Sequence, residues 1–236
     1  HRHSSAASDV YKRQNILRDI HRNPYETLTF FGIRPDMKVI ELSPGGGWYT
    51  EILAPYLKEE GELIAAHFDP SMGDFAKRVR GNFEKKLASS SVYDRVKLVS
   101  LNTQYSEAES VDAVVTFRNL HNWIGPNWNF IITSAHKSLK KGGVLGVVEH
   151  RAKQGTSLEN MKKTGYVTEE YAVESIEKLG FKLVAKSEIN SNPKDTKDHP
   201  KGVWTLPPVM RLKELNQDKY LPVSYTHLRA HETVED

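Results

Sequence analysis

Short runs of apolar residues alternate along the chain with segments whose apolar positions recur every three or four residues. Runs of the first kind are typical of buried strands, and segments of the second kind are typical of amphipathic helices. The runs predict six strands: Lys38–Leu42, Glu62–Phe68, Val96–Leu101, Asp112–Phe117, Val144–His150 and Phe181–Ile189.

The segment Ser71–Ala88 has the spacing of an amphipathic helix. Its apolar residues stand four positions apart, so they fall on one face of the helix. This face predicts a single buried stripe, made of Phe75, Val79, Phe83 and Leu87.

Further helical segments separate the other strands. Thr168 is a capping residue for a helix that runs to Leu179, and Gly180 is placed to close that helix. The remaining predicted helices are Asn15–Gly32 (broken near Pro24), Trp48–Leu57 and Phe130–Leu139. Repeated alternation of strands and helices predicts one α/β domain with a doubly wound, largely parallel sheet.

The composition is that of an ordinary soluble globular protein. Hydrophobic residues make up 38% of the 236 residues and charged residues 27%, and no apolar run is long enough for a membrane span. The chain has no cysteine, which excludes disulfides, thiolate metal sites and cysteine nucleophiles. Its 33 Lys and Arg nearly balance 30 Asp and Glu with the signs interleaved, which argues against a nucleic-acid partner.

We expect the two ends of the chain to differ in origin from its middle. Asp9–Gln14 can be encoded GAT GTG TAT AAG AGA CAG. The reverse complement of that string, read in another frame, contains GTC TCT TAT ACA CAT, which encodes Val223–His227. Such a pair resembles translated sequencing adapters, which recur at the ends of reading frames assembled from environmental DNA. We therefore expect residues 1–14 and 222–236 to be non-native tails, and 15–221 to be the native domain.

These boundaries bear on localisation. A native signal peptide would have stood upstream of Asn15. The N-terminus therefore does not distinguish a cytoplasmic protein from a periplasmic one.

A glycine-rich loop follows the first predicted strand. Ser43-Pro44-Gly45-Gly46-Gly47 leads from that strand into the next helix. Glycine allows positive φ and close approach to a ligand, and the helix N-terminus behind the loop offers free N–H groups. The third glycine of the dinucleotide fingerprint G-x-G-x-x-G is missing, because Thr50 stands there. A phosphate-binding P-loop is not supported either.

This loop resembles the first motif of the class I S-adenosylmethionine (SAM)-dependent methyltransferases. The motif runs hydrophobic–hydrophobic–acidic–hydrophobic–G-x-G-x-G, with Ser43 here in place of the first glycine, and is matched by Val39, Ile40, Glu41, Leu42, Ser43, Gly45 and Gly47. A bacterial group of predicted methyltransferases is similar over the segments RDIHRNPYETLTFFGI, SPGGGWYTEILAPYL, FRNLHNWI, LGVVEHRA and EINSNPKDTKDHPKGVWTLPP. The resemblance covers Asn15–Leu212.

The resemblance implies a Rossmann-like fold that binds SAM. The loop residues expected to lie against the methionine and ribose portions of SAM are Glu41, Ser43, Pro44, Gly45, Gly46 and Gly47. The acidic ribose ligand of the family corresponds to His67, but Asp69 is the better acceptor for two hydroxyls, so we expect Asp69 on the ribose and His67 in the pocket wall. Asn102 corresponds to the residue that meets the adenine amino group. Arg118 and Asn119 complete the expected cofactor site.

The resemblance also implies a seventh, antiparallel strand between the fifth and sixth. Residues 15–221 end before an obvious strand of this kind. We therefore expect the sheet to lack a complete seventh strand, or to build one poorly from tail residues.

Polar residues cluster after the fourth and fifth strands, where chemistry beside the cofactor is expected. Arg118 and His121 follow the fourth strand, and His150 and Arg151 end the fifth. The histidines are candidate general bases, and the arginines are candidates to grip an acidic acceptor. A single histidine at a strand end is more often structural, but two His and two Arg on adjacent strands favour catalysis. No close His-x-His spacing outside the tails predicts a metal site.

The segment Asn190–Pro208 is long for an unstructured connection. It predicts either a lid or a docked surface loop. Trp204, in its apolar end, is expected near the mouth of the active site.

The sequence therefore predicts a SAM-dependent methyltransferase that acts on an unidentified small-molecule acceptor. One alternative is an NAD(P)-dependent oxidoreductase on the same architecture. The missing third glycine and the absence of a clear Tyr-x-x-x-Lys pair count against it. The other alternative, from a different class, is a non-catalytic SAM-binding protein.

Overall fold

The computed structural model describes residues 19–212, 217–220, 223 and 228–233. Within these residues the chain forms one seven-stranded sheet. The strands are β1 (Lys38–Leu42), β2 (Glu62–His67), β3 (Lys97–Ser100), β4 (Val111–Phe117), β5 (Leu139–Val148), β6 (Phe181–Ser187) and β7 (Leu228–Thr233). Their order is β3-β2-β1-β4-β5-β7-β6. Strands β1 to β5 pair in parallel, and β7 is antiparallel to both of its neighbours. The predicted doubly wound, Rossmann-like α/β class is confirmed.

Helices connect the strands at the positions where the apolar spacing changes. They are α1 (Asp19–Arg22), α2 (Pro24–Phe30), α3 (Thr50–Leu57), α4 (Asp74–Leu87), α5 (Leu120–Trp123), α6 (Trp128–Ser138), α7 (Leu158–Thr164), α8 (Glu169–Glu177) and α9 (Gln217–Tyr220). Thr168 caps α8 as predicted, since its hydroxyl accepts from the Tyr171 amide at 3.2 Å. None of the helices in the described part of the chain is long and apolar enough to cross a membrane.

The core lies on both faces of the sheet. Neighbouring residues of a strand point to opposite faces, and β1 supplies both layers in this way. Val39 packs with Leu53 of α3 on one face, and Ile40 packs with Ile132 of α6 on the other. All four side chains are fully buried. This two-sided burial explains the uninterrupted apolar run that marks β1 in the sequence.

The chain order reverses between β1 and β4. From β1 the chain proceeds outward through β2 and β3, and it returns to the other side of β1 with β4 and β5. A crevice forms at the carboxyl ends of the strands where the order reverses, and ligands of doubly wound sheets bind there.

Helix α4 begins three residues later than predicted. Asp69 first caps a single 3₁₀ turn over Pro70–Met72, and Gly73, with φ of 117°, separates that turn from the helix. Phe75 therefore lies on the first turn of α4 and is 62% exposed, so its predicted burial is wrong. Phe83, two turns further on, is buried as predicted.

Strand β5 begins five residues earlier than predicted. The residues Lys140–Gly143, which lie between the predicted helix Phe130–Leu139 and the predicted strand Val144–His150, extend the strand past an irregularity in its pairing with β4. The Lys140 ammonium lies 2.6 Å from Asp112 Oδ1 on β4, and this ion pair fixes the extension to its neighbour.

The seventh strand occupies the position between β5 and β6. It pairs with Val144–Val148 on one side and reaches Phe181–Ser187 on the other. The described residues within 15–221 supply six strands, as predicted, and β7 comes from the segment expected to be a tail. The sheet thus has a seventh strand, built from tail residues and irregular in its pairing with β6, which is the second of the two expected forms.

Candidate active site

The glycine loop between β1 and α3 has a left-handed backbone at three positions. Ser43, Gly45 and Gly47 have φ of 52°, 59° and 75°. Ser43 thus adopts the conformation for which the motif ordinarily uses glycine. Its amide donates to the Ala66 carbonyl of β2 at 2.8 Å, which fixes the start of the loop.

A cleft of about 390 Å³ opens at this loop. It lies at the carboxyl ends of β1, β4 and β5, where the order of the strands reverses. It is lined by Arg22, Glu41, Ser43, Pro44, Gly45, Gly46, Trp48, Tyr49, Phe117, Arg118, Asn119, His121, Asn122, His150, Val203, Trp204, Pro207, Pro208 and Val209.

Nine of the predicted site residues meet in this cleft. They come from the glycine loop and from the ends of two other strands: Glu41, Ser43, Pro44, Gly45, Gly46, Arg118, Asn119, His121 and His150. Five predicted residues are outside the cleft lining: Gly47, His67, Asp69, Asn102 and Arg151.

His67 lies beneath the glycine loop, outside the cleft lining. It is fully buried, and its Nε2 is 3.1 Å from the Gly45 carbonyl oxygen. Its Nδ1 accepts from the Phe68 amide at 2.8 Å. Since Nδ1 accepts, the proton of the neutral ring is on Nε2, which donates to Gly45. Burial lowers the pKa of His67 and favours this neutral form.

Asp69 uses its carboxylate locally. Oδ1 accepts from the Ser71 amide at 2.9 Å and from the Ser71 hydroxyl, and Oδ2 accepts from the Ser100 hydroxyl at 2.8 Å. The hydrogen bonds from Ser71 hold the pKa of Asp69 below its ordinary value. Asn102, expected at the adenine, is an exposed residue just after β3.

Asn119 ties the end of β4 to the glycine loop. Its side-chain amide donates to the Ser43 carbonyl at 3.1 Å and lies 3.1 Å from the Thr116 hydroxyl. Arg118 has φ of 63°, and its amide donates to Val148 of β5 at 2.6 Å. The sharp turn at Arg118 thereby brings the ends of β1, β4 and β5 together.

His121 and His150 flank a buried carboxylate. Glu149 Oε1 lies 3.0 Å from His121 Nδ1 and accepts from the His150 amide at 2.7 Å. The two imidazole rings are 6.1 Å apart, centre to centre. Both rings line the cleft, as the clustering of these residues at the strand ends predicted.

Arg151 is held away from the cleft by acidic residues. Its guanidinium lies 3.3 Å from Glu169 of α8 and 2.9 Å from Glu188, which follows β6. A second arginine lines the cleft in its place. Arg22, at the end of α1, lies with its guanidinium carbon 4.3 Å from the centre of the Trp48 ring.

Aromatic residues form much of the remaining wall. Tyr49 stacks on Phe117 with an angle of 8° between the rings, and Trp48 meets Tyr49 edge-on. Trp204 meets His121 edge-on at 5.8 Å. Its place at the cleft agrees with the expected position of Trp204 at the mouth of the site.

The segment that carries Trp204 is docked. Asn190 is buried, and its amide donates to the Thr27 hydroxyl of α2 at 3.1 Å. Asp195 is also buried and accepts from the Tyr166 hydroxyl at 2.8 Å. Of the two predicted forms, the structure thus shows the docked loop.

Four lining residues were not predicted from the sequence: Arg22, Trp48, Tyr49 and Phe117. The aromatic residues next to the glycine loop were the available signal.

The residues of the cleft fit a ligand with a positively charged methionine portion. Ser43 Oγ is buried and has no hydrogen-bond partner among the described residues, and a Cβ added to Gly45 or Gly46 would meet open space. Glu41 is buried at the cleft and accepts from the Thr50 hydroxyl at 2.6 Å. Burial raises its pKa to about 7, although Thr50 and Lys86 oppose this. A cation bound beside Glu41 would stabilise its carboxylate.

Residues 40–147 match a family model described as a methyltransferase domain. A search of the curated proteins finds no match. Solved structures share the fold. A SAM-dependent methyltransferase from Aquifex aeolicus has a TM-score of 0.59 at 16% identity, over 79% of this chain and 92% of that one. The [4+2]-cyclase SpnF has a TM-score of 0.65 at 13% identity, over 92% and 82%. An arsenic(III) SAM methyltransferase from Chlamydomonas reinhardtii has a TM-score of 0.53 at 11% identity, over 85% and 64%.

The matched domain runs from β1 to β5 and contains the glycine loop and most of the cleft. The prediction is confirmed at the level of the domain: residues 40–147 form a methyltransferase domain of the class I SAM-dependent type, and SAM is the cofactor that this domain uses. The likeness to the solved structures shows the fold alone, and a cyclase is among them. The acceptor therefore has to be argued from the cleft.

Proposed function

We propose that this methyltransferase acts on a small molecule bound in the cleft. The observation that carries the proposal is that the glycine loop and the two histidines line the same cavity. A methyl donor held at the loop and an acceptor held at the histidines would be neighbours. Alignment of this kind is the main requirement of a displacement reaction.

The cofactor half of the cleft is assigned to the glycine loop. Ser43 Oγ offers a hydroxyl without a partner in the described chain, and Glu41 offers a carboxylate that a cation would stabilise. Pro44, Gly45 and Gly46 form the loop surface, and Asn119 holds it in place. When bound, SAM supplies a methyl group on a positively charged sulfonium.

The acceptor half is assigned to the ends of β4 and β5. His121 and His150 are the proposed bases for an acceptor that must lose a proton. Arg118 is the proposed contact for an acidic group on the acceptor or the cofactor. Arg151 is part of the proposed site only if its pairs with Glu169 and Glu188 open.

The size of the cleft supports a small acceptor. The cleft of about 390 Å³ has to accommodate part of SAM as well as the acceptor, and small-molecule sites span roughly 300–1,000 Å³. The docked segment Asn190–Pro208 forms one side of it through Trp204 and Pro207. A large acceptor would have to displace this segment.

We also retain the proposed domain boundaries, 15–221 with tails at 1–14 and 222–236. The complementarity of the codons for Asp9–Gln14 and Val223–His227 supports them. Sequencing the source locus tests this proposal. A continuous native reading frame through both ends would overturn it.

Calorimetry with SAM, S-adenosylhomocysteine and NAD tests the proposed function first. We expect binding of both SAM compounds and none of NAD; NAD binding without a SAM response would favour an oxidoreductase. Methyl transfer is then measured as release of S-adenosylhomocysteine with a panel of small acceptors. Tight SAM binding without turnover on any acceptor would instead favour a non-catalytic SAM-binding protein.

A further inference from the structure

Glu149 lies at the end of β5 with both carboxylate oxygens directed at the residues of the acceptor half. Oε1 lies 3.0 Å from His121 Nδ1 and 2.7 Å from the His150 amide, and Oε2 lies 3.2 Å from the His121 amide. The Glu149 and His121 side chains are only 8% and 5% exposed. A buried carboxylate held by three donors is a built element of the site, not a solvated side chain.

These contacts determine the tautomer of His121. An ionised carboxylate only accepts hydrogen bonds, so His121 Nδ1 must carry the ring proton. The free electron pair of the neutral ring is then on Nε2. Since Glu149 occupies Nδ1, Nε2 is the ring atom left for an acceptor in the cleft.

The surroundings of His121 favour a flat acceptor. Trp204 meets the His121 ring edge-on at 5.8 Å, and the stacked pair Tyr49 and Phe117 lines the same cleft. Aromatic walls of this kind contact planar rings over a large apolar area. An aromatic ring that carries the reacting group therefore fits the cleft best.

We propose that the acceptor is a phenolic hydroxyl and that His121 Nε2 removes its proton. Glu149 is then the residue that positions His121. This inference rests on the proposed function. A phenol has a pKa of about 10, so it needs a base to react at neutral pH, whereas a thiol, with a pKa near 8.5, is partly ionised without help. Glu149 also stabilises the imidazolium that forms, as an acidic partner of a catalytic histidine does.

The acceptor loses a proton and gains a methyl group. The hydroxyl proton moves to His121 Nε2, and the phenolic oxygen forms a bond to the methyl carbon. The carbon–sulfur bond breaks with its electron pair remaining on sulfur, which converts the positive sulfonium into a neutral thioether. The products are an aryl methyl ether, S-adenosylhomocysteine and a protonated His121 beside Glu149.

The contacts distinguish His121 from His150. Glu149 reaches His150 through its backbone amide and His121 through its ring. The His150 ring instead meets the Tyr166 ring edge-on at 5.8 Å. We therefore assign the base to His121.

The first test reads the tautomer directly. Nitrogen-15 NMR of the imidazoles in the intact protein should show His121 protonated at Nδ1, and this signal should be lost in His121→Ala. In Glu149→Gln the neutral amide should weaken the preference for this tautomer. A wild-type His121 protonated at Nε2 would overturn the proposal without any assay of activity.

The second test uses a panel of phenols with matched thiophenols, anilines and benzoic acids. We expect the wild type to transfer methyl groups to phenols. Glu149→Gln should lower kcat roughly 10²-fold and change its pH profile, with an unchanged affinity for SAM. Glu149→Asp should restore part of the kcat. Glu60→Gln, the same change at an exposed position outside the cleft lining, is the matched control and should behave as wild type. A Glu149→Gln enzyme with the kcat and pH profile of wild type would overturn the role of Glu149.

The outcomes separate the two proposals. SAM binding with transfer only to thiols, amines or carboxylates, or with no transfer to any member of the panel, overturns the phenol assignment alone. Failure to bind SAM overturns the proposed function itself.

Discussion

The His67 imidazole holds the carbonyl of Gly45, with Nε2 at 3.1 Å from the oxygen, while its other nitrogen accepts from the Phe68 amide. A buried neutral histidine thereby links the end of β2 to the loop that forms the cofactor half of the cleft. His67, which the resemblance places at the ribose, thus contacts the glycine loop in this chain.

Replacing His67 should therefore weaken SAM binding without touching SAM. We expect His67→Leu to lose roughly fivefold in affinity, because one hydrogen bond to the loop contributes on the order of 1 kcal/mol. His67→Gln can still donate to Gly45 and should lose less. Calorimetric titration with SAM measures both variants, and equal affinities for Leu and Gln would contradict the role of the hydrogen bond.

The same histidine makes the stability depend on pH. Burial lowers its pKa below the ordinary value of about 6.5, so the unfolded chain binds its proton more tightly than the folded one. The contribution of neutral His67 to the free energy of unfolding is fully present above pH ~6.5, and it is lost as the pH falls through the folded-state pKa of His67. Urea unfolding from pH 5 to 7.5 should show this slope in the wild type and a smaller one in His67→Gln.

Gly46 and Gly47 should respond differently to alanine. A Cβ on Gly47 would lie 2.8 Å from Phe83 and 2.9 Å from Lys86 of α4, and its φ of 75° disfavours any other residue. Gly47→Ala should lower the free energy of unfolding by about 1–3 kcal/mol. Gly46→Ala, whose Cβ would meet open space, should keep its stability and lose SAM affinity, because that space is the cleft. Thermal unfolding and SAM titration of the pair measure this, and a Gly47→Ala protein as stable as wild type would contradict it.

The sequence predicted the parts of this fold that local periodicity controls. β1 is buried on both faces, so its apolar run is continuous, and Thr168 caps α8 through a contact three residues away. The start of α4 was missed because Asp69 uses its carboxylate to cap a separate turn.

The site was predictable where its residues follow the carboxyl ends of parallel strands. The glycine loop and the polar residues after β4 and β5 converge because the carboxyl ends of parallel strands share one edge. Arg22 could not be found in this way, since it comes from α1, before β1, and reaches the cleft through tertiary packing. Arg151 points away because Glu169 and Glu188, which lie 18 and 37 residues further on, hold it.

Asp195 should control the docking of the segment Asn190–Pro208. Its Oδ1 accepts from Tyr166 at 2.8 Å, from His199 at 3.0 Å and from the Lys197 amide at 3.0 Å. Removing the Tyr166 hydroxyl leaves a buried carboxylate with one donor fewer, which costs about 1–3 kcal/mol.

Tyr166→Phe should therefore lower stability and speed tryptic cleavage after Lys194, Lys197 and Lys201. Tyr25→Phe, the same change at a side chain that is 78% exposed, is the control and should leave both unchanged. Cleavage of Tyr166→Phe at the wild-type rate would show that another contact holds the segment.

Glu41 should couple SAM binding to proton release. Burial raises its pKa to about 7, so about half of the molecules carry this proton at neutral pH, and a cation bound beside Glu41 would lower that pKa. The apparent affinity for SAM should therefore rise roughly eightfold between pH 6 and pH 7.5, with about half a proton released at pH 7. The binding enthalpy at pH 7 in phosphate and in Tris, which differ in ionisation enthalpy, measures this release.

Glu41→Gln separates this coupling from other effects of pH. The glutamine can still accept from Thr50 but cannot ionise, so it should bind SAM more weakly and release no proton. Without ligand, Glu41 has its pKa raised above the unfolded value, so its stabilisation is present at acid pH and is lost as the pH rises through about 7. Glu41→Gln should therefore unfold at a higher temperature than wild type at pH 8 when SAM is absent, and lose that advantage when SAM is present. Proton release of equal size in both proteins would place the titrating group elsewhere.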